Sequence, residues 1–331
     1  MNRATVLHAI RCLMLDTFRQ ARASGIFWLM LAVSVVCIGV CLSMRVEGAE
    51  DLGGEEGSGF VPRTMPVDPT QAQMSGVTQV RGQLLIGFGA VRVDLGRDAH
   101  DAVRHVQLIL AGVVADTAGI LLMLVWTAGF LPSFLEPSAA SVLLAKPFPR
   151  WGLLIGKYVG VLVFVLFQAS LFVIGTWAAL GLGTGIWDPI YLMCVPLLLV
   201  HFAIFFSVST LLAVTTRSTI VCVFGSILFW LLCWGMNYGR HMVVGLPDLH
   251  EAARGMHFLV EVGYWILPKP ADLGLLLFDA LQAHNYFNSA VEFEAVKAQG
   301  AFSPVLSVAA SLGFTAAMLA LACYEFQTTD Y

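Results

Sequence analysis

Apolar residues along this chain gather into six long runs, over residues 25–44, 108–130, 153–182, 190–214, 219–236 and 305–324, and almost every charge falls between them. A helix needs about 20 mostly apolar residues to cross the hydrocarbon core of a bilayer. Each run is that long or nearly so. In lipid the backbone has to satisfy its own hydrogen bonds, and uncharged runs of this length do so only as helices. The pattern predicts an all-α polytopic membrane protein with six transmembrane helices.

The segments between the runs carry weaker patterns. Within residues 1–24, Val6, Ile10, Leu13, Met14 and Phe18 form an apolar stripe, with Arg11, Arg19 and Arg22 away from it. Such a basic amphipathic helix lies in the membrane interface, apolar side down. The segment 45–107 opens with an acidic, Gly-rich stretch from Glu47 to Gly59 that reads as a flexible linker. Further on, Leu84, Ile86 and Phe88, then Val91, Val93 and Leu95, alternate around Gly87 and Gly89, which predicts a short hairpin. Asp98 is placed to cap a helix leading into the second span. In the segment 237–303, Leu249, Ala253, Met256 and Val260 share one helical face. Residues 273–281 are apolar but too short to span, a candidate re-entrant or interfacial helix.

Hydrophobic residues make up 58% of the 331 and charged residues 12%, against roughly 25% charged in a soluble domain. A pI of about 6.0 and a net charge of −4 argue against a nucleic-acid partner. Of the seven cysteines none lies in the two long polar segments, so no extracytoplasmic disulfide framework is expected. The first run is as long as a span and no small-residue cleavage site follows it, so the expectation is a retained helix and not a cleaved signal peptide.

Charge sets the expected orientation. With the N-terminus in the cytoplasm, eight basic residues face four acidic ones on the inside, and ten face seventeen on the outside. Lys and Arg concentrate on the cytoplasmic side of membrane proteins. The expectation is a multi-pass protein of the cell inner (plasma) membrane with both termini cytoplasmic, a cytoplasmic loop over 131–152, a tail over 325–331, and two extracytoplasmic segments. Trp28, Trp151, Trp187 and Trp234 near span ends fit an aromatic belt.

The cytoplasmic loop between the second and third runs carries the most chemistry. Ser138 to Ala145 can form a short helix, with Glu136 near its positive N-terminus and Lys146 at its negative end. Pro147 and Pro149 stop it sharply. A short capped helix held between two spans is a rigid handle that a cytosolic partner can push. Here the chain resembles the transmembrane subunits of ABC-2 type transporters, whose equivalent loop runs Glu, a Gly-Thr pair, a Leu-rich helix, Pro, Arg and then Gly-Lys. Glu136, Leu143, Leu144, Pro147, Arg150, Gly156 and Lys157 match that pattern, and Ser138-Ala139 stands in place of the Gly-Thr. The layout is similar too: amphipathic N-terminal helix, six spans, an external segment before the last span. The long first external segment and the Gln327-Thr328-Thr329 ending depart from it.

The resemblance implies a permease that pairs with a second permease subunit and docks a separate ABC ATPase subunit through Glu136, Ser138, Leu143, Leu144, Lys146, Pro147 and Arg150. It implies no catalysis and no cofactor in this chain, ATP and magnesium belonging to the partner. Lys157 and Arg217 have a plainer reading as anchors whose heads reach the phosphate headgroups. Gly152 to Lys157 has only three residues between its glycines, Tyr158 after the lysine and no preceding strand, so it is not a phosphate-binding loop. His250-Glu251 lacks the second histidine of a zinc-protease helix.

Asp116 is the one acid well inside a run, and such residues face a cavity, a pathway or a bonding partner. His201 is alone on an apolar helix and is expected to hydrogen-bond to a neighbouring helix, since no other span offers an obvious partner for a metal site. Two rival classes stay open: an ion-coupled secondary transporter using Asp116, and a membrane anchor or intramembrane enzyme. The absence of paired intramembrane charges and of an internal repeat counts against the first rival. The small number of His, Asp and Glu residues in the spans counts against an enzyme.

Overall fold

The computed structural model describes residues 16–47, 82–95, 99–135, 149–245, 257–281, 296–298, 300 and 302–329. Among the described residues six helices are long and apolar enough to cross a membrane: Gly25–Leu42, Ala102–Phe134, Arg150–Thr184, Pro189–Thr216, Thr219–Val244 and Pro304–Thr328. They are called the first to sixth spans. The end of the bundle that carries residues 16–24 and Thr329 is called the N-face. The chain is a multi-pass helical membrane protein.

Local chemistry sets several of the helix ends. Ser24 caps the first span by accepting from the Ile26 N–H, at 3.3 Å. Asp188 does the same for Ile190 at 3.1 Å where the fourth span begins as a 3-10 turn, Pro189–Met193. Gly185 ends the third span in the left-handed region at φ 76°, which glycine adopts without strain. One turn earlier Gly181 lies under the Trp187 ring, and between the two Gly183 lies against the Met44 carbonyl, each too close for a Cβ. The three glycines thus make the turn and the helix approaches around it.

The fourth span is the centre of the bundle. Buried residues make up 67% of its most apolar stretch, against 17% in the first span. Phe202, Phe205 and Phe206 are fully enclosed, and Tyr158 of the third span stacks on Phe206 while its hydroxyl donates to the Ala203 carbonyl at 2.7 Å. Near the N-face a second cluster joins the first three spans, with Phe27, Trp126 and Phe164 in mutual ring contact.

The second span is irregular. It starts as an α-helix, Ala99–Leu108, continues as an eleven-residue π-helix, Ile109–Gly119, and returns to α over Ile120–Thr127 and Phe130–Phe134. A π stretch of this length is rare, and such stretches gather at functional sites. The fifth span runs on as one helix, Thr219–Gly245, well beyond the 219–236 expected from hydropathy. It continues because its polar residues find partners: Arg240 pairs with Glu261 and His241 with Asp272.

The hairpin forms as expected, strand β2 (Gly82–Ile86) pairing antiparallel with β3 (Val91–Leu95), and Gly87, Phe88 and Gly89 all take positive φ at the turn. The chain leaving the first span adds strand β1 (Arg45–Glu47) to β2, so the beginning of the presumed linker belongs to a three-stranded sheet. Ser43 ties this sheet to the first span by accepting from the Gly87 N–H at 3.0 Å. Of the expected amphipathic helix, residues 16–23 are described and helical, with Thr17 and Ala21 buried and Arg19 and Arg22 exposed. Phe18, the one described member of the expected stripe, meets Phe164 of the third span edge-on at 5.2 Å, and Val6, Ile10, Leu13 and Met14 lie outside the described residues. The face expected from Leu249, Ala253 and Met256 lies outside the described residues. Its last member, Val260, falls in a helix, His257–Ile266. A turn at Leu267–Lys269 then leads into Pro270–Ala280, which covers most of the expected apolar stretch and folds back against the spans.

Candidate functional site: polar residues inside the bundle

Glu136, Ser138, Leu143, Leu144, Lys146 and Pro147 lie outside the described residues. Arg150 opens the third span, and its Nη1 donates to the Thr329 carbonyl at 3.1 Å, joining the third span to the end of the sixth. Lys157 departs from the anchor expected of it. It is 1% exposed, and its Nζ donates to Gln20 Oε1 at 2.9 Å and to Asp16 Oδ2 at 3.2 Å. The head is thus satisfied by helix 16–23 and does not run out to headgroups. Gln20 Nε2 donates onward to Ser133 Oγ at 2.7 Å, so one chain of bonds links helix 16–23, the end of the second span and the start of the third. Arg217 is exposed at the fourth-to-fifth turn and adopts a left-handed backbone, φ 54°.

Asp116 sits in the π-helix, and His201 of the fourth span lies opposite it, Nδ1 to Oδ1 at 2.6 Å. Trp230 of the fifth span donates Nε1–H to His201 Nε2 at 3.4 Å. With Nε2 accepting, the ring's proton is on Nδ1, directed at the carboxylate. The expected bond from His201 to a neighbouring helix is thus present, and its partner is an acid, so the spans do contain a paired acid and imidazole. The two residues are 85 positions apart, so spacing gives no sign of the match.

Among the described residues the largest polar cluster lies at the opposite face, and it has no counterpart in the sequence motifs. Asp272, in the first turn of Pro270–Ala280, is fully buried. His241 Nε2 lies 2.6 Å from its Oδ1, Asn237 Nδ2 donates to Oδ1 at 3.0 Å, and Tyr264 OH donates to Oδ2 at 2.8 Å. Ser307 Oγ donates to Oδ2 as well, and the Asp272 N–H returns a bond to Asn237 Oδ1 at 3.0 Å. One carboxylate thereby joins the fifth span, both short helices and the sixth span. Burial opposes its ionisation. Bonds from His241 and Ser307, the charge of His241 and the Asn237 amide outweigh that, and its pKa falls below the usual carboxylate range. Beside it Lys269 is 1% exposed, with its Nζ 4.7 Å from the Tyr264 ring centroid and no hydrogen-bond acceptor among the described residues. Burial pushes the Lys269 pKa down, against the pull of the Asp272 charge.

A further tie at the opposite face is Arg104 Nε to Asp188 Oδ2 at 2.7 Å, which holds the start of the second span to the turn before the fourth. Near mid-depth, Gln168 of the third span donates to Ser34 of the first at 3.2 Å. Among the described residues no group of three His, Cys, Asp or Glu side chains is arranged to hold a metal ion. No family model matches the chain, and no curated protein matches it.

The Asp272 cluster makes stability depend on pH with a defined sign. The folded pKa lies below the unfolded value of about 3.9. Its contribution is therefore full above that value and is lost as pH falls through the folded pKa. Thermal unfolding of the protein in detergent is expected to show wild-type stability dropping below about pH 4, with Asp272→Asn less sensitive to acid. At pH 7, Asp272→Ala strands four donors and is expected to cost about 3–5 kcal/mol. An alanine variant as stable as wild type would contradict the geometry.

Proposed function

We propose that the chain is the transmembrane permease subunit of an ABC-2 type transporter, an exporter driven by a separate ATPase subunit and paired with a second permease subunit in the inner (plasma) membrane. Both termini and the N-face lie in the cytoplasm on this reading, as the distribution of Lys and Arg favours. ATP and magnesium belong to the ATPase, and this chain performs no covalent chemistry.

The observation that carries the reading is the bonding around the segment that joins the second and third spans. On one side of it, Ser133 is bonded to helix 16–23. On the other, Lys157 is bonded to the same helix and Arg150 to the end of the sixth span. A load applied to residues 136–149 therefore reaches the second, third and sixth spans and helix 16–23 together. That is the mechanical requirement for a loop pushed by an ATPase.

An ion-coupled carrier is the second reading, and the Asp116–His201 pair favours it, because a carboxylate bonded to an imidazole within a span can exchange a proton. A membrane anchor for an extracytoplasmic assembly is a third reading, and no bonded cluster among the described residues favours it.

Two sets of variants separate these readings. Glu136→Lys reverses the charge at the N-terminus of the coupling segment, and Leu143→Gly with Leu144→Gly removes its apolar anchors and softens it by about 1 kcal/mol per residue. Both are expected to insert normally and to lose ATPase association or substrate-stimulated hydrolysis. Wild-type ATPase binding and transport in both would exclude the permease reading. Asp116→Asn keeps the shape and removes the charge. Transport by this variant is expected to proceed with unchanged pH dependence if the pair is a structural tie. Abolition of flux driven by a proton gradient would instead establish the ion-coupled carrier.

A further inference from the structure

A cavity of about 200 Å³ lies between the first four spans. Ser34 is near the middle of Gly25–Leu42 and Gln168 near the middle of Arg150–Thr184, which puts the cavity at the depth of the hydrocarbon core. Among the described residues these are the two polar side chains in its wall, and no charged one lines it. Val33 and Ala118 are exposed at its edge, so the mouth opens sideways between the first and second spans.

Two independent features set it apart from a packing gap. The first is the Gln168 amide, in a residue 2% exposed. Its Nε2 donates to Ser34 Oγ, and the Ser34 hydroxyl donates to the Met30 carbonyl at 3.0 Å. The Ser34 proton is thereby committed, and turning the amide over would set two acceptors against each other. Gln168 Oε1 is left enclosed with no partner among the described residues. Buried acceptors are nearly always paired, and in hydrocarbon no water is at hand to do it. The second feature is the wall opposite. Val114, Ala115, Ala118 and Gly119 belong to the π-helix, where the wide turn and the small side chains keep the space open.

We propose that this cavity binds an uncharged, membrane-soluble molecule with an apolar body and one hydroxyl or amide N–H, which donates to Gln168 Oε1. The apolar wall excludes a charged ligand, since nothing there offsets the loss of its hydration. An apolar cavity of roughly 150 Å³ holds a benzene molecule, so this one takes a body somewhat larger, the size of a medium-chain alcohol or a substituted phenol. The ligand arrives from the bilayer through the sideways mouth. The site exists whatever drives the protein, and its test requires no transport.

The test uses the full-length chain in phosphatidylcholine nanodiscs and a photoreactive octanol carrying a diazirine. Labelling is expected to saturate and to fall within residues 114–123 and 165–172. Unlabelled 1-octanol should compete about fivefold better than methyl octyl ether, which lacks the donor. Gln168→Leu keeps the apolar volume and should bring the two competitors level. Ala118→Phe, at the exposed mouth, should abolish site labelling without disturbing the core, and keeps the question decidable if the leucine variant does not fold. Labelling that never saturates, or that spreads over the exposed faces of the fifth and sixth spans, would overturn the proposal. So would an unchanged alcohol preference in Gln168→Leu, or wild-type labelling in Ala118→Phe.

Discussion

The hydrocarbon core offers no water, so each polar side chain carried into it has to find its partner in the protein. That constraint organises this molecule. Helices in lipid gain little from apolar contact with one another, because lipid tails are as apolar as leucine. Packing of rings around Phe202 and Phe206 holds the centre, and polar ties decide which helix stands beside which. Lys157 ties the third span to helix 16–23, Gln168 ties it to the first, and Asp116 with His201 and Trp230 ties the second, fourth and fifth. At the opposite face Asp272 ties the fifth and sixth spans to the two short helices between them.

The two ends of the bundle are built differently. At the opposite face the Asp272 carboxylate is fully buried, and four side chains direct bonds at it, an arrangement that resists displacement of any one member. At the N-face the bonds run in a line, from Ser133 through Gln20 to Lys157, with Asp16 at the end and largely exposed. A line of bonds transmits a push along itself, whereas a hub fixes a pivot. On the proposed reading the ATPase moves the N-face about the pivot at the other end. The cavity beside the π-helix sits between them, where the second span departs most from regular geometry.

The spans and the hairpin were legible in the sequence because each rests on a local repeat: runs of about twenty apolar residues, and alternation around Gly87 and Gly89. The ties were not legible, since they join residues far apart in the chain. Lys157 and Asp16 are 141 positions apart, and Ser307 and Asp272 are 35. A lone lysine at a span start reads as a headgroup anchor until the carboxylate and amide that hold it are seen. The fifth span looked shorter than it is for the same reason. Asn237, Arg240 and His241 lower its hydropathy, and only their partners show that the helix continues. A partial signal was present: Asn237 and His241 are four apart, on one helical face, and Asp272 follows shortly after Pro268 and Pro270. The π-helix left no trace, because its wider turn lies within a run that is apolar nearly throughout, where a change of period is not visible.

The central claim is that a separate ATPase works this bundle through the N-face. Isolation of the intact complex from native membranes in a mild detergent tests it most directly, with subunit identification and measurement of ATP hydrolysis on the same sample. The account predicts a stoichiometric partner carrying a complete phosphate-binding loop, with hydrolysis that stays with the complex through size exclusion. A purified chain that carries no such partner, and that moves substrate on an ion gradient alone, would contradict it.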